Sequence, residues 1–135
     1  MGSLEKIVLI SAGDPASIAP EITVKAIQCL LDDARLKPIV ISNPDLIKNT
    51  KILVKSDIDL NIVKDLKKFS DFKNKCLNLI PLNIPHEVIL GKPNYQNSSF
   101  VINSIQSCVK ILNSSIASAM VTNPINKNVM HKAGF

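Results

Sequence analysis

Apolar residues along this chain fall into short unbroken runs, separated by stretches in which they recur every three to four positions, and the alternation of the two periods sets the expected elements. Residues 5–11 hold the run Ile7-Val8-Leu9-Ile10 between polar and glycine neighbours, which predicts a strand buried on both faces. After Gly13-Asp14-Pro15, the positions Ile22, Ala26, Cys29 and Leu30 repeat at helical spacing, with Val24, Ile27 and Leu31 beside them. Pro20 falls in the opening turn of that helix, where its missing N–H would lack an intrahelical partner in any case. Pro38-Ile39-Val40-Ile41-Ser42 predicts a second strand, and Asn43-Pro44 starts a second helix running through Leu46, Ile47 and Ile52.

The middle of the chain is less regular. Residues 60–63 and 77–82 are strand candidates on either side of a lysine-rich linker. From Phe100 onward, Val101, Ile105, Cys108 and Leu112 form a helical stripe widened by Ile102 and Val109, and Asn113-Ser114-Ser115 ends it. Residues 116–122 then predict a strand of small side chains, and residues 124–133 a short helix capped by Gly134. Strands alternating with helices in this way predict a mainly parallel sheet with crossover helices on both faces, a three-layer α/β/α architecture. There is no internal repeat and no low-complexity tract.

Composition narrows the function classes. A chain of 135 residues, 46% of them hydrophobic, makes at most one domain and is too apolar for disorder. Its longest aliphatic run, Ile7 to Ile10, is far too short to span a membrane. Glu5 beside Lys6, with no long apolar segment after them, does not read as a secretory leader, and Lys6 stands where a myristoylation motif on Gly2 would want Ser or Thr. A cytoplasmic location is the expectation. The net charge of +5 comes from 15 Lys and one Arg, and residues 55–75 interleave six Lys with Asp57, Asp59, Asp65 and Asp71. That pattern reads as a solvated face. Nucleic-acid recognition favours Arg and stacking aromatics, and both are scarce here. Cys29, Cys76 and Cys108 lie 47 and 32 residues apart, too widely spaced for a metal clip, and are expected to be reduced, buried thiols. His86 and His131 have no acidic partner in motif and are expected to serve surface or packing roles, so no metal ligand is assigned.

In doubly wound sheets, ligands collect at the carboxyl ends of strands. Two strand-to-helix turns occupy that position here. The first reads Gly13-Asp14-Pro15-Ala16-Ser17-Ile18-Ala19-Pro20-Glu21, which is neither a G-x-G-x-x-G fingerprint nor a P-loop. The second, Thr122-Asn123-Pro124-Ile125-Asn126-Lys127, sets a hydroxyl, an amide and an ammonium in position to converge on an acidic ligand. Composition alone leaves open that both are ordinary helix starts.

Gly13 to Glu21 resembles the G-[D/E]-P-A-G-I-G-P-E signature of the 4-hydroxythreonine-4-phosphate dehydrogenase family, enzymes of pyridoxal phosphate biosynthesis. Gly91-Lys92-Pro93 followed by Asn97 is similar to that family's G-K-P-x-x-x-N-G segment. Thr122 to Lys127 is similar to its T-[G/A]-P-I-N-K motif, and Ala133-Gly134 to the A-G soon after. The order and spacing agree over nearly the whole chain. Four positions depart from the pattern: Ser17 and Ala19 replace glycines, Ser98 replaces the glycine after Asn97, and Asn123 replaces Gly or Ala.

The resemblance implies a two-domain α/β dehydrogenase of the isocitrate and isopropylmalate dehydrogenase-like class, a homodimer with its active site between the domains. It implies NAD and a divalent metal (Zn, Mg or Co) as cofactors, and a small phosphorylated substrate whose secondary alcohol is oxidised before carbon dioxide is lost. The family's G-H-T-E segment, its metal-binding histidines and its phosphate-holding residues come later than position 135. Residues 1–135 are therefore expected to form an incomplete first domain, the N-terminal portion of such an enzyme, with no catalytic or metal-binding residue of its own and no activity alone. Uncovered sheet edges and marginal stability are further expectations. The alternatives are one half of a split enzyme completed by a separate C-terminal chain, or a remnant repurposed to bind small anions. On the family pattern, Gly13, Asp14 and Glu21 are the candidates for the cofactor side of the site. Thr122, Asn126 and Lys127 are the candidates near the substrate. Cap and turn chemistry alone is the competing reading for each.

Overall fold

The computed structural model describes residues 6–135; Glu5, with which the first expected strand begins, and Gly2 lie outside the described residues. Five strands form, β1 (Lys6–Ser11), β2 (Leu36–Ser42), β3 (Asp59–Ile62), β4 (Cys76–Pro81) and β5 (Ala119–Val121). Four α-helices accompany them, α1 (Ala19–Leu30), α2 (Pro44–Leu53), α3 (Ser98–Asn113) and α4 (Lys127–Lys132), with single 3-10 turns at Phe69–Asp71 and Tyr95–Asn97. Every strand pairing is parallel, in the order β3-β4-β2-β1-β5. The chain steps from β1 to β2, passes over one place to β3 at the edge, returns to set β4 between β3 and β2, then crosses back to place β5 on the other side of β1.

Alternation along the strands sorts the core into layers. On one face Val40 meets Val24 and Ile27 of α1, Ile47 of α2, and Leu77 and Leu79 of β4. On the other, Leu9, Ile39 and Ile41 meet Cys108 of α3 and Ala117. A third cluster, Ala12, Leu46, Phe100, Val101 and Met130, closes the end of the sheet where the strands finish. Burying an Ile, Leu or Phe side chain of this kind contributes about 1.5–3 kcal/mol, so these two helical layers are the main source of stability. The α/β three-layer expectation holds, with a parallel sheet built as the periodicity required.

Several boundaries differ from expectation, each for a local reason. Strand β2 starts at Leu36 and includes Pro38, which pairs with Val8 of β1; pairing with β4 begins only at Ile39. Proline is tolerated there because the strand has one neighbour at that level. Strand β5 contracts to three residues, since β1 is its one partner and Ser118 enters by donating its N–H to the Ile7 carbonyl at 2.9 Å. The last helix starts at Lys127, three residues later than expected, where the Asn126 side chain accepts the Val129 N–H at 3.2 Å. The cysteine expectation is corrected: Cys108 is buried and burial pushes its thiol up to about 11, but Cys76 is half-buried and Cys29 is exposed on the outer side of α1.

The lysine-rich linker is more ordered than its composition implied. Asp71 Oδ2 accepts the N–H groups of Lys64 and Asp65 at 3.1 and 2.8 Å. Buried Asn78 accepts from Asn61 Nδ2 at 2.8 Å and from the Lys73 N–H at 2.9 Å. These asparagines satisfy backbone groups that an apolar side chain would leave orphaned. After α1, a bidentate contact with Arg35 at 3.1 and 2.9 Å holds the Asp33 carboxyl down at about 2. Among the described residues, no helix is long and apolar enough to cross a membrane.

Candidate functional site

The strand order reverses between β1 and β5, and the crevice beyond their carboxyl ends is where an open parallel sheet gathers ligands. Gly13, two residues past β1, has φ +71 and sits where two turns approach closely. A Cβ built on it would stand 2.7 Å from Ala19 Cβ, from Asn123 Cβ and from the Pro124 carbonyl oxygen. Only glycine fits there. The absence of a side chain lets the Asp14 N–H donate to the Pro124 carbonyl at 2.9 Å, which joins the β1–α1 turn to the β5–α4 turn.

Side chains reinforce the joint. Asn123 Nδ2 donates to the Ser11 carbonyl at 2.9 Å and to Thr23 Oγ1 at 2.6 Å, and its N–H donates to Ser11 Oγ at 3.1 Å. Thr23 Oγ1 in turn donates to the Ala19 carbonyl at 3.0 Å. A third segment is tied in where the Gly91 N–H donates to the Ala16 carbonyl at 2.8 Å. Beneath, Ser104 Oγ accepts the Ala12 N–H at 2.8 Å and donates to the Ile41 carbonyl at 2.7 Å, pinning the end of β1 to β2 through α3.

These contacts enclose an open cleft of about 400 Å³ lined by Asp14, Ser17, Pro93 and residues 124–128. The three resembling segments therefore meet at one place. Asp14 is 5% exposed; its Oδ1 accepts the Ala16 N–H at 2.9 Å, whereas Oδ2 is buried with no hydrogen-bond partner. Ser17 Oγ donates to the Asp14 carbonyl at 2.7 Å and accepts the Ala19 N–H at 3.1 Å, so its hydrogen-bonding capacity is largely spent on the turn. Lys127 is exposed on the wall and has no ion-pair partner among the described residues. A second hollow of about 250 Å³, near Asp32, Lys37 and Phe72, opens by the start of β2 and β4, the opposite end from the switch point.

Of the residues singled out from the sequence, Asp14, Asn126 and Lys127 line the cleft, and Gly13 forms the joint behind it. Asn126 spends its Oδ1 on capping α4. Glu21, half-buried on α1, and Thr122, exposed after β5, do not line it. Sequence reasoning passed over Ser11, Thr23 and Ser104, which hold the turns together. Ser104 carried a signal: it sits between Val101, Ile105 and Cys108, a polar residue on the apolar stripe of α3. Among the described residues, no three His, Cys, Asp or Glu side chains gather into a metal site.

A parallel α/β sheet with a polar cleft at its switch point is the arrangement of a doubly wound α/β domain. The family described as "Pyridoxal phosphate biosynthetic protein PdxA" matches residues 34–135, and the chain belongs to that family. A 4-hydroxythreonine-4-phosphate dehydrogenase of Methylorubrum extorquens is 30% identical over 138 residues, covering 100% of this chain and 39% of the relative. A Halalkalibacterium halodurans protein carrying a D-threonate 4-phosphate dehydrogenase name is 32% identical over 131 residues, covering 94% of this chain and 38% of the relative. The crystal structure of a 4-hydroxythreonine-4-phosphate dehydrogenase from Burkholderia phymatum superposes with a TM-score of 0.83 at 22% identity, over 96% of this chain and 39% of that one, which shows the fold. The chain thus spans about two-fifths of the length of the relatives it matches.

Proposed function

We propose that this chain is the N-terminal portion of an NAD-dependent, divalent-metal-dependent 4-hydroxythreonine-4-phosphate dehydrogenase in pyridoxal phosphate biosynthesis, working in the cytoplasm. The observation that carries the reading is the convergence of three family-like segments, around Asp14, Pro93 and Lys127, on one switch-point cleft. Bound NAD would supply the hydride acceptor for oxidation of the secondary alcohol. The residues present suit one polar end of such a cofactor or of a phosphorylated substrate: Lys127 supplies a positive charge and Asp14 a free acceptor, with Gly13 allowing the close approach of the two turns. They do not suit a divalent metal, because the required donor set is missing among the described residues. Metal-holding groups, and the further groups that surround a phosphate beside Lys127, would come from the part of the family's length this chain does not span, and a homodimer would complete the active site.

The test is complementation. The 135-residue chain, mixed with a polypeptide covering the remaining part of the Methylorubrum relative, is assayed for NADH formation from 4-hydroxythreonine 4-phosphate with Zn, Mg or Co. Activity is expected in the mixture and none from either part alone. Metal-dependent NADH formation by this chain alone would overturn the division of labour, and an inactive but stably associated mixture would overturn the dehydrogenase reading.

A second reading, a small-anion-binding module, draws support from the four departures at Ser17, Ala19, Ser98 and Asn123. It expects NAD or simple phosphate esters to raise the melting temperature of the isolated chain. A screen showing no such rise removes it.

A further inference from the structure

The unpartnered oxygen of Asp14 is the one buried side-chain polar atom without a hydrogen bond among the described residues. Leaving a carboxylate oxygen out of water and unpaired costs free energy, and folded proteins retain few such groups. The turn itself does not explain it, because Oδ1 alone accepts the Ala16 N–H, a task Asn or Ser performs equally well. Lys127 lines the same cleft, yet no ion pair joins it to Asp14. The site thus keeps an acceptor and a cation apart, each without its complement.

We propose that Asp14 Oδ2 is a recognition group that accepts a hydrogen bond from a hydroxyl or ammonium donor on a phosphate ester, while Lys127 meets the phosphate. The inference rests on the proposed function and deepens it, by naming the two groups that read the ligand in this part of the cleft. A phosphate ester bearing a neighbouring donor has two sources, a small phosphorylated hydroxy or amino compound and the ribose-phosphate portion of a dinucleotide. The same chemistry serves both. A ligand with the phosphate but without the donor leaves Oδ2 orphaned and is discriminated against.

The experiment uses the 135-residue chain and two phosphates of matched size, glycerol 3-phosphate, which bears hydroxyl donors, and propyl phosphate, which has none; NAD is the third probe. Calorimetric titration is expected to show donor-bearing probes binding about tenfold more tightly than propyl phosphate, the worth of one hydrogen bond to a charged group. Asp14→Asn keeps the acceptor for Ala16 but replaces Oδ2 by an NH₂ group, and should erase the preference. Lys127→Met should weaken all three probes while leaving their order intact. An Asp14→Asn effect on glycerol 3-phosphate alone assigns the donor to a small substrate, and an effect on NAD alone assigns it to the dinucleotide; both support the inference. The wild type supplies a readout free of any folding defect. Glycerol 3-phosphate, and not propyl phosphate, should shift the NMR signals of the Asp14 carboxyl carbon and the Ala16 amide. Equal affinity of the wild type for the two phosphates, binding of no probe, or a preference surviving in Asp14→Asn would overturn the inference. Complementation activity is unaffected by those outcomes, so the dehydrogenase reading is judged separately.

Discussion

Substituting Gly13 by alanine tests the joint on which the cleft depends. At φ +71 a side chain costs about 1–2 kcal/mol through its clash with the following carbonyl. The new methyl would also stand 2.7 Å from three atoms, two of them the Cβ atoms of Ala19 and Asn123 and the third the carbonyl oxygen of Pro124. None is the end of a flexible side chain. Separating the turns enough to admit the methyl adds an overpacking cost of about 1–3 kcal/mol and strains the Asp14 N–H to Pro124 carbonyl bond. The expected loss is about 2–5 kcal/mol, a large share of the roughly 5–15 kcal/mol by which small domains are stable.

Urea unfolding followed by circular dichroism measures it, and Gly134→Ala is the internal control. Gly134 also has a positive φ, +91, but a Cβ there meets nothing within 4 Å, so it carries the conformational cost without the steric one. Its expected loss is about 1–2 kcal/mol. Restoring space with the double substitution Gly13→Ala, Ala19→Gly should recover part of the difference. Amide exchange at Asp14 should quicken in Gly13→Ala and remain slow in the control. If Gly13→Ala and Gly134→Ala destabilise equally within error, close approach of the two turns does not hold the cleft together and the argument fails.

Two further expectations follow from buried groups. Asn123→Ala removes the Nδ2 bonds to Ser11 and Thr23 and should cost about 2–3 kcal/mol; a double-mutant cycle with Thr23→Val should show coupling of about 1 kcal/mol, whereas strict additivity would dissolve the link. Burial raises the Cys108 thiol from 9.0 to about 11, so the unfolded chain releases this proton first. Stability should therefore fall as pH rises from about 9 to about 11, and Cys108→Ala should lack that component of the slope; an unchanged slope refutes it. In the same pH range, exposed Cys29 should alkylate in the native protein while Cys108 reacts only after unfolding.

What the sequence disclosed, and what it hid, divides along physical lines. The strands were legible where a single period governed burial, as where Leu9, Ile39 and Ile41 alternate onto one face; on α1 the helix was legible but not its face, since Ile22, Ala26 and Cys29 of the expected stripe are exposed and the flanking Val24 and Ile27 enter the core. Legibility failed where polar side chains took over the packing. The network of Asn61, Asn78 and Asp71 orders a segment whose lysines read as solvated linker, and a hydropathy period does not register hydrogen bonds between residues 17 positions apart. At the site, the family pattern pointed to Asp14, Asn126 and Lys127, and the fold places all three on the cleft at the switch point. Glu21 and Thr122 fall outside the cleft because motif membership fixes a position along the chain and not the direction of a side chain.

The departures from the family pattern acquire a common meaning once placed in the fold. Ala19 is fully buried, and its Cβ is one of the atoms that makes glycine obligatory at position 13. Asn123 fills its place with hydrogen bonds that tie β1 to α1, and buried Ser98 donates to the Val129 carbonyl at 3.5 Å, linking α3 to α4. Three of the four changes thus sit behind the cleft and connect the elements that form it. Ser17 is on the wall, but its hydroxyl is turned inward to the Asp14 carbonyl and the Ala19 N–H. Asn123 and Ser98 thus cross-link the scaffold, while Asp14 Oδ2 and the Lys127 ammonium are unmatched by any protein group among the described residues. Behind a cleft whose walls are tied together in this way, the orphan oxygen and the unpaired ammonium are the two groups that the proposed phosphate ester would match.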